Sequence, residues 1–339
     1  MKKLMHTSIA VLLTAAMTLS ALTGCAGKTQ APAAEAPSAE NVQESYTVGV
    51  LQFGSHPSLD NCYAGVAEAL GGDAAVTVEL ENGNFDSATC DTIAKNMVAK
   101  KYDMLIAIAT PAALSAYAAT ASTDIPVVFC AVSDPVAAGL VDSIEQPGGA
   151  CTGTSDVLDL TAQLDLITTL QPDAKTIGIL YTTSEANSVS QLKTIKELAA
   201  QRGLTIDAEG VQTAADIPQA AASLCARVDC VNNFTDNNVV NNLSILLAQA
   251  ENAGIPVYGS EEEQVKNGCL ATVGIDYVAL GKVTGQMALD ILHGQDPAAM
   301  AVQTITDAVP VINEDVLASF GISMPEAYQD ATTVHTNAE

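Results

Sequence analysis

The feature that most constrains this chain is an alternation of short apolar runs, rich in Val and Ile, with helical patterns. The alternation occurs twice, on either side of a break at Gln146-Pro147-Gly148-Gly149. The first run predicts strands at residues 48–52, 76–80, 104–108 and 127–132. The second predicts strands at residues 176–181, 205–208, 228–231 and 257–259, with a helix over 238–253. Such alternation is typical of parallel sheets that helices cover on both faces, so the sequence predicts an α/β protein with two lobes.

Residues 1–24 have the pattern of a secretory signal. Lys2 and Lys3 precede an apolar stretch over residues 9–22, and the segment contains no Asp or Glu. It ends in Leu22-Thr23-Gly24-Cys25, which resembles the lipobox of bacterial lipoproteins, in which the cysteine is lipidated. The alternatives are an ordinary signal peptide with a chance cysteine, or a single membrane helix. We therefore expect an extracytoplasmic protein anchored to the bacterial cell membrane by a lipidated Cys25, with residues 25–45 as a disordered tether.

The charge is strongly negative, with 13 Lys and Arg against 39 Asp and Glu and a formal net charge of −26 at pH 7. Loss of residues 1–24 removes two lysines and no acids, which takes the charge from −26 to −28. Binding to phosphate-rich surfaces relies on clustered Lys and Arg. We therefore expect no nucleic-acid partner.

The sequence favours a binding function over catalysis. Seven cysteines follow Cys25 without a CxxC pair or paired histidines, which argues against a zinc site and predicts cysteines that are mostly core residues. The sequence leaves open whether Cys225 and Cys230 form a disulfide. The GxGxxG, GxxxxGK[ST] and GxSxG fingerprints are missing from the sequence. We expect no cofactor, no metal and no enzymatic activity.

The loops after the predicted strands are the places to look for a ligand, because open parallel sheets bind ligands at the carboxyl ends of their strands. After the first strand, Gln52 offers an amide, Phe53 an apolar face and His56 an imidazole. A local bond to a turn carbonyl explains His56 equally well.

The next two loops of the first run offer groups for both ends of a zwitterion. Thr110 and Ala112 flank Pro111 at a predicted helix start, where free backbone N–H groups suit a carboxylate. Helix capping alone also explains Thr110. Ser133 and Asp134 follow the strand at 127–132, and Asp134 either pairs with an ammonium group or caps a turn.

The second run adds further polar candidates. Ser188 and neighbouring N–H groups form a second anion seat, while Asp236 offers a charge and Phe234 a stacking surface. The full set of candidates here is Glu185, Asn187, Ser188, Phe234, Asp236 and Asp276. Acids and hydroxyls thus converge without Lys or Arg, which suits a zwitterion whose ammonium group pairs with an acid such as Asp236.

These loops resemble the tryptophan/tyrosine-type substrate-binding lipoproteins of bacterial ABC transporters. The matching segments are GVLQF (49–53), AIATPAA (107–113), IPVVFCAVSDPVAAGL (125–140), GILY (178–181), SEANS (184–188), TDN (235–237) and GIDY (274–277). The chain departs from the family at Asn232-Asn233-Phe234. The match runs in order from Tyr46 to about Pro310.

The resemblance implies the type I periplasmic-binding-protein fold, with two Rossmann-like lobes joined by crossover strands near residues 153–156, 274–276 and 304–306. It implies a first lobe at 46–154, completed by about 276–303, and a second at 155–275, completed by about 304–330, before a flexible tail at 331–339. The implied ligand contacts are Gln52, His56, Thr110, Asp134, Glu185, Asn187, Ser188, Asp236 and Asp276.

The predicted function is that of a monomeric binding protein that captures a small zwitterionic ligand, an amino acid and in particular an aromatic one. It would deliver this ligand to an ABC permease with a cytoplasmic ATPase. Two alternatives keep the fold: a ligand sensor that signals to a receptor kinase, and a binder of a nucleoside or sugar.

Overall fold

The structure, a computed structural model, describes residues 45–305 and 309–336, which belong to one unit spanning residues 43–339. The predicted signal segment, Cys25 and nearly all of the predicted tether lie outside the described residues.

Lobe 1 is built on a six-stranded sheet in which every neighbouring pair is parallel. Its strands are β1 (Tyr46–Gln52), β2 (Val76–Asn82), β3 (Met104–Ile108), β4 (Val127–Cys130), β5 (Cys151–Ser155) and β11 (Gln303–Thr304), in the spatial order β11-β5-β4-β3-β1-β2. The helices of this lobe are α1 (Pro57–Leu70), α2 (Ser87–Ala99), α3 (Thr110–Thr120) and α10 (Tyr277–Leu292). All five residues of β3 are buried, as expected for a central strand covered on both faces.

Helix α10 packs against α1 with the two backbones in close contact. A Cβ atom on Gly65 would lie 2.1 Å from the carbonyl oxygen of Val278, and one on Gly281 would lie 2.1 Å from that of Cys62. Only glycine permits this approach. The contact fixes the start of α10, and with it Tyr277, against lobe 1.

Lobe 2 contains a four-stranded parallel sheet in the order β7-β6-β8-β9 and a second sheet in the order β10-β12-β13. The strands are β6 (Thr176–Thr182), β7 (Thr205–Val211), β8 (Cys230–Asn232), β9 (Val257–Tyr258), β10 (Ala271–Gly274), β12 (Val309–Asn313) and β13 (Thr332–Val334). Backbone bonds from Leu270 N to Val257 O (2.7 Å) and from Gly259 N to Ala271 O (3.0 Å) join the two sheets. The helices are α4 (Leu160–Leu170), α5 (Ala186–Gln201), α6 (Ile217–Cys225), α7 (Asn237–Asn241), α8 (Leu243–Ala253), α9 (Glu262–Lys266) and α11 (Glu314–Ser319).

The chain passes between the lobes three times. Strand β5 of lobe 1 leads into α4 of lobe 2, β10 of lobe 2 leads into α10 of lobe 1, and β11 of lobe 1 precedes β12 of lobe 2. The α/β class with two lobes on parallel sheets is thereby confirmed.

Two predicted elements differ from the structure. Residues 238–253 form two helices, α7 and α8, because Asn242 leaves the helical conformation at φ −116° and ψ 25°. Residues 332–334, predicted as part of a flexible tail, form β13, which pairs in parallel with β12. The β-branched run Thr332-Thr333-Val334 suits a strand.

The seven cysteines after Cys25 are all buried and none forms a disulfide, so Cys225 and Cys230 do not pair. They are Cys62, Cys90, Cys130, Cys151, Cys225, Cys230 and Cys269. Small apolar side chains of this kind fill core positions.

Candidate functional site

A cavity lies between the two lobes, and the space free of atoms along its lining, part of it open to solvent, is about 350 Å³. Lobe 1 contributes the loops after β1, β3 and β4, and lobe 2 contributes α5 and the loops after β8 and β9. The lining residues are His56, Ser58, Leu59, Ala109, Thr110, Ala131, Ser133, Asp156, Asn187, Thr235, Asn237, Val240, Glu261, Gln264 and Tyr277. Only about 20 Å³ of this space admits the centre of a water-sized molecule, so the cavity leaves little free room between the lobes.

The start of α3 lies at the cavity, and Thr110 and Ala112 are the residues there whose backbone N–H groups are not used by Cys130 or by the helix itself. Thr110 is the first residue of the helix, and it lines the cavity together with Ala109. The first N–H groups of a helix have no partner within the helix and attract anions. The conformation here is strained, because Ala109 has φ 78° and Ala131, at the end of the next strand, has φ 57°. Strained backbone held by its surroundings is common at binding sites.

Two polar side chains in the cavity wall have atoms without a hydrogen-bond partner among the described residues. They are His56, through both ring nitrogens, and Asn187, through Oδ1. Burial lowers the pKa of His56 to about 4, although the Asn237 side chain, which lies near the ring without a well-formed hydrogen bond to it, and the Asp60 carboxylate act in the opposite direction. The ring is therefore neutral at pH 7, with one nitrogen as donor and the other as acceptor. Leaving such groups buried and unpaired is costly, so both point to a ligand.

Two carboxylates face the cavity. Asp156 accepts hydrogen bonds from Ser133 Oγ and from Tyr277 Oη, each at 2.8 Å, and burial raises its pKa. Glu261 accepts from the backbone N–H groups of Glu263 (2.7 Å) and Gln264 (2.8 Å), and burial raises its pKa to about 7. None of the cavity-lining residues is Lys or Arg, so both acids are available to a positively charged group.

Hydrogen bonds cross the cleft from lobe to lobe. The Ser190 hydroxyl of α5 donates to Asp134 of lobe 1 at 2.5 Å, and the hydroxyls of Ser133 and Thr235 lie 3.4 Å apart. These contacts indicate that the lobes are closed on each other.

Four of the residues predicted from sequence line the cavity: His56, Thr110, Ser133 and Asn187. The other predicted residues of lobe 1 make contacts within the protein and do not line the cavity. Gln52 donates to Gly54 O (2.7 Å) and to Asp60 (2.6 Å), and Phe53 packs edge-on against Phe85. Ala112 is fully buried in the core. Asp134 accepts from Ala137 N, in addition to its contact with Ser190.

Most of the predicted residues of lobe 2 are also engaged elsewhere. Asp236 accepts from Thr182 N, Thr182 Oγ1, Ser188 Oγ and Val239 N at 2.6–3.0 Å, which also accounts for Ser188. Glu185 accepts from the backbone and side chain of Asn237 and from Asn238 N. A carboxylate has about four acceptor positions, so Asp236 is saturated.

The remaining two predicted residues lie away from the cavity lining. Phe234 is fully buried in the core of lobe 2. Asp276 is exposed and caps α10 by accepting from Val278 N and Ala279 N.

Sequence reasoning missed Asp156, Glu261 and Tyr277. Asp156 and Tyr277 flank the crossings that the family resemblance places near 153–156 and 274–276, and Glu261 follows the predicted strand at 257–259. Their positions directly after strands or crossings are the pattern that could have found them.

No helix of the described ranges, 45–305 and 309–336, is long and apolar enough to cross a membrane. Within the same ranges, no group of three or more His, Cys, Asp or Glu side chains is placed to hold a metal ion.

The two lobes, the three crossings and the polar cavity between the lobes define a two-lobed solute-binding protein of the type I periplasmic-binding-protein fold. The model of the family described as "ABC transporter substrate binding protein" matches residues 47–335. The chain belongs to this family. It is a family of substrate-binding proteins, which are extracytoplasmic, and not a family of enzymes.

Relatives and solved structures agree with this assignment. A tyrosine-binding protein of Clostridioides difficile is 36% identical over 315 residues, which cover 91% of this chain and 90% of that protein. A Streptococcus pneumoniae ABC domain in complex with L-Trp has 34% identity and a TM-score of 0.83, with 86% of this chain and all of that one covered.

A ligand-free, open structure of a substrate-binding protein with adhesive properties from Clostridium difficile is 36% identical at the same coverage but has a TM-score of 0.66. The greater similarity to the L-Trp complex agrees with closed lobes. Sugar-bound neighbours such as an L-rhamnose complex (11% identity, TM-score 0.55) share the fold alone. The comparisons favour neither the receptor-kinase alternative nor a nucleoside or sugar ligand.

Proposed function

We propose that the protein captures an aromatic amino acid of the tyrosine and tryptophan type between its lobes and delivers it to an ABC permease that a cytoplasmic ATPase drives. The observation that carries this proposal is the pairing of a buried carboxylate, Asp156, with the start of α3 in one cavity whose lining contains no Lys or Arg. The similarity to a tyrosine-binding protein and to an L-Trp complex supports the aromatic side chain.

The ammonium group of the ligand pairs with Asp156. The Asp156 carboxylate has roughly four acceptor positions, of which Ser133 and Tyr277 occupy two. The remaining positions accept from the ammonium group, and such charge-assisted bonds are strong. The second acid, Glu261, lines the same cavity, and its pKa of about 7 leaves it charged in only part of the molecules at neutral pH.

The carboxylate of the ligand binds at the start of α3. The Thr110 hydroxyl and the backbone N–H groups of Thr110 and Ala112 serve as donors, helped by the positive end of the helix dipole. The strained backbone at Ala109 and Ala131 brings these groups to the cavity.

Binding involves no chemical step. The ligand contacts both lobes, and these contacts exist together only when the lobes are closed, so the ligand favours the closed state. The protein acts as a monomer that a lipid on Cys25 holds at the outer face of the cell membrane. The lipobox-like residues 22–25 support this anchor.

The proposal is tested by isothermal titration calorimetry and thermal shift with a matched set of ligands. L-Tyrosine and L-tryptophan should bind and raise the melting temperature. Tyramine, which lacks the carboxylate, and 3-(4-hydroxyphenyl)propionate, which lacks the ammonium group, should bind at least about 100-fold more weakly. A response to adenosine or galactose, with none to any amino acid, would contradict the proposal.

A further inference from the structure

The loop after β2 places an aromatic ring beneath His56. The rings of His56 and Phe85 are stacked, with centroids 6.0 Å apart and an interplanar angle of 8°. Phe53 meets the same Phe85 ring edge-on, with centroids 5.7 Å apart. The His56 imidazole therefore stacks on the Phe85 ring, and Phe53 packs against the edge of the same ring.

The backbone around Phe85 is fixed in an uncommon conformation. Asn84 has φ 52° and Phe85 has φ 58°, values in the left-handed region that few residues other than glycine adopt. Gly83 N donates to Gln52 O and Phe85 N donates to Phe53 O, each at 2.8 Å, which ties this loop to the one that follows β1.

A glycine makes room for the ring. A Cβ atom on Gly54 would lie 2.2 Å from Phe85 Cε1, so any other residue at position 54 would displace the ring. Strain at two residues and a glycine at a third thus hold one aromatic ring in place, which indicates that its position matters beyond core filling.

The nitrogens of His56 have no partner among the described residues, and its side chain lines the cavity at 9% exposure. Under the proposed function, the ammonium group is taken by Asp156 and the carboxylate by the start of α3. The His56 imidazole is then free to hydrogen-bond the polar group of the ligand's side chain, which is a phenol hydroxyl in tyrosine and an indole N–H in tryptophan.

Building on the proposed function, we infer that His56 recognises the polar hydrogen-bonding group of an aromatic ligand side chain, and that Phe85 is the residue that positions His56. A neutral imidazole offers one donor and one acceptor, and it serves a hydroxyl as well as an N–H. A site built to bond such a group rejects an analogue that lacks it, because the buried partner is left unpaired.

The experiment compares L-tyrosine with L-phenylalanine, which differ only in the hydroxyl, by titration calorimetry on the purified protein and four variants. The wild type should bind tyrosine at least about tenfold more tightly. His56→Phe keeps the stacked ring and removes the nitrogens, so the preference should fall to about threefold or less while phenylalanine still binds. Phe85→Leu should reduce the preference, and Phe85→Tyr, which restores a ring, should retain it. Tyr117→Phe, at an exposed position of α3, is the matched control and should change nothing.

Melting temperatures of all variants show whether each remains folded. An unchanged preference in folded His56→Phe, or equal binding of the two amino acids by the wild type, would overturn the inference and leave the proposed function standing. Failure of the wild type to bind any amino acid would instead refute the proposed function itself. Loss of preference in Phe85→Leu that Phe85→Tyr does not restore would refute the positioning role of Phe85.

Discussion

The acids at the junction of the lobes and the acids in the loops of lobe 2 are equally buried but differently bonded. Asp156, where the chain leaves lobe 1, accepts two hydrogen bonds and faces the cavity. Asp236, in the loop after β8, accepts four bonds from its own lobe and does not line the cavity. Burial alone therefore does not identify a binding acid; the number of acceptor positions still open does.

The largest expected effect is on ligand affinity at Asp156. Asp156→Asn keeps the acceptor oxygen for one neighbour and removes the charge, and we expect it to weaken the amino acid by about 2–5 kcal/mol because the ammonium group loses its buried partner. Titration calorimetry measures the loss. Asp159→Asn, at the exposed N-cap of α4, is the matched control and should bind normally.

The next largest effect should be on protein stability, and it should distinguish Asp236 from Asp156. Asp236→Ala leaves the N–H groups of Thr182 and Val239 buried without an acceptor, and we expect a loss of about 3 kcal/mol in the free energy of unfolding. Ligand affinity should change less than about tenfold. Denaturant melts and titrations on the same preparation test both numbers. A large loss of affinity with an unchanged unfolding curve would restore Asp236 as the ammonium partner that the sequence predicts.

A pH effect should follow from Glu261, the second acid at the cavity. Its pKa in the closed protein is raised to about 7 from 4.5, so its protonated form is favoured and its contribution to stability is complete below pH 4.5. That contribution is lost as the pH rises toward 7, by about 2 kcal/mol between pH 5 and 7. The difference between wild-type and Glu261→Gln unfolding free energies, measured across this range, isolates the effect. A difference that does not vary with pH would show that the carboxyl titrates normally.

The smallest effect concerns the strained backbone that faces both acids. Ala109→Gly should stabilise the folded protein by about 1 kcal/mol, because glycine adopts φ 78° without the clash of a Cβ atom. Ala113→Gly, inside α3, should destabilise it by a similar amount, since glycine is unfavourable in a helix. Thermal unfolding of the two variants would contradict the strain argument if both changed the melting temperature in the same direction.

The sequence predicts the fold better than the site. Periodicity finds β3 to the residue, since a buried parallel strand is a continuous apolar run. It misses the break in 238–253, because the change at Asn242 is a conformational one within a continuous helical pattern.

For the site, the sequence identifies loops rather than contacts. His56 and Thr110 line the cavity as predicted positions, while Glu185 and Asp236 lie in the predicted loops but bind donors of their own lobe. A residue type at a strand end does not reveal how many donors surround it, because those donors come from distant parts of the chain. For Asp236, three of the four bonds come from Thr182 and Ser188, which lie 54 and 48 residues away in the sequence.

The bond between Tyr277 Oη and Asp156 joins the first crossing to the start of the helix that follows the second. It therefore ties two of the three connections between the lobes to each other. Under the proposed function, an ammonium group bound to this carboxylate would act on the connecting segments themselves, where a small rotation displaces the far ends of the lobes by a longer distance. On that proposal, occupancy of the cavity would be expressed as a change of shape across the whole molecule, which a membrane transporter could sense without touching the ligand.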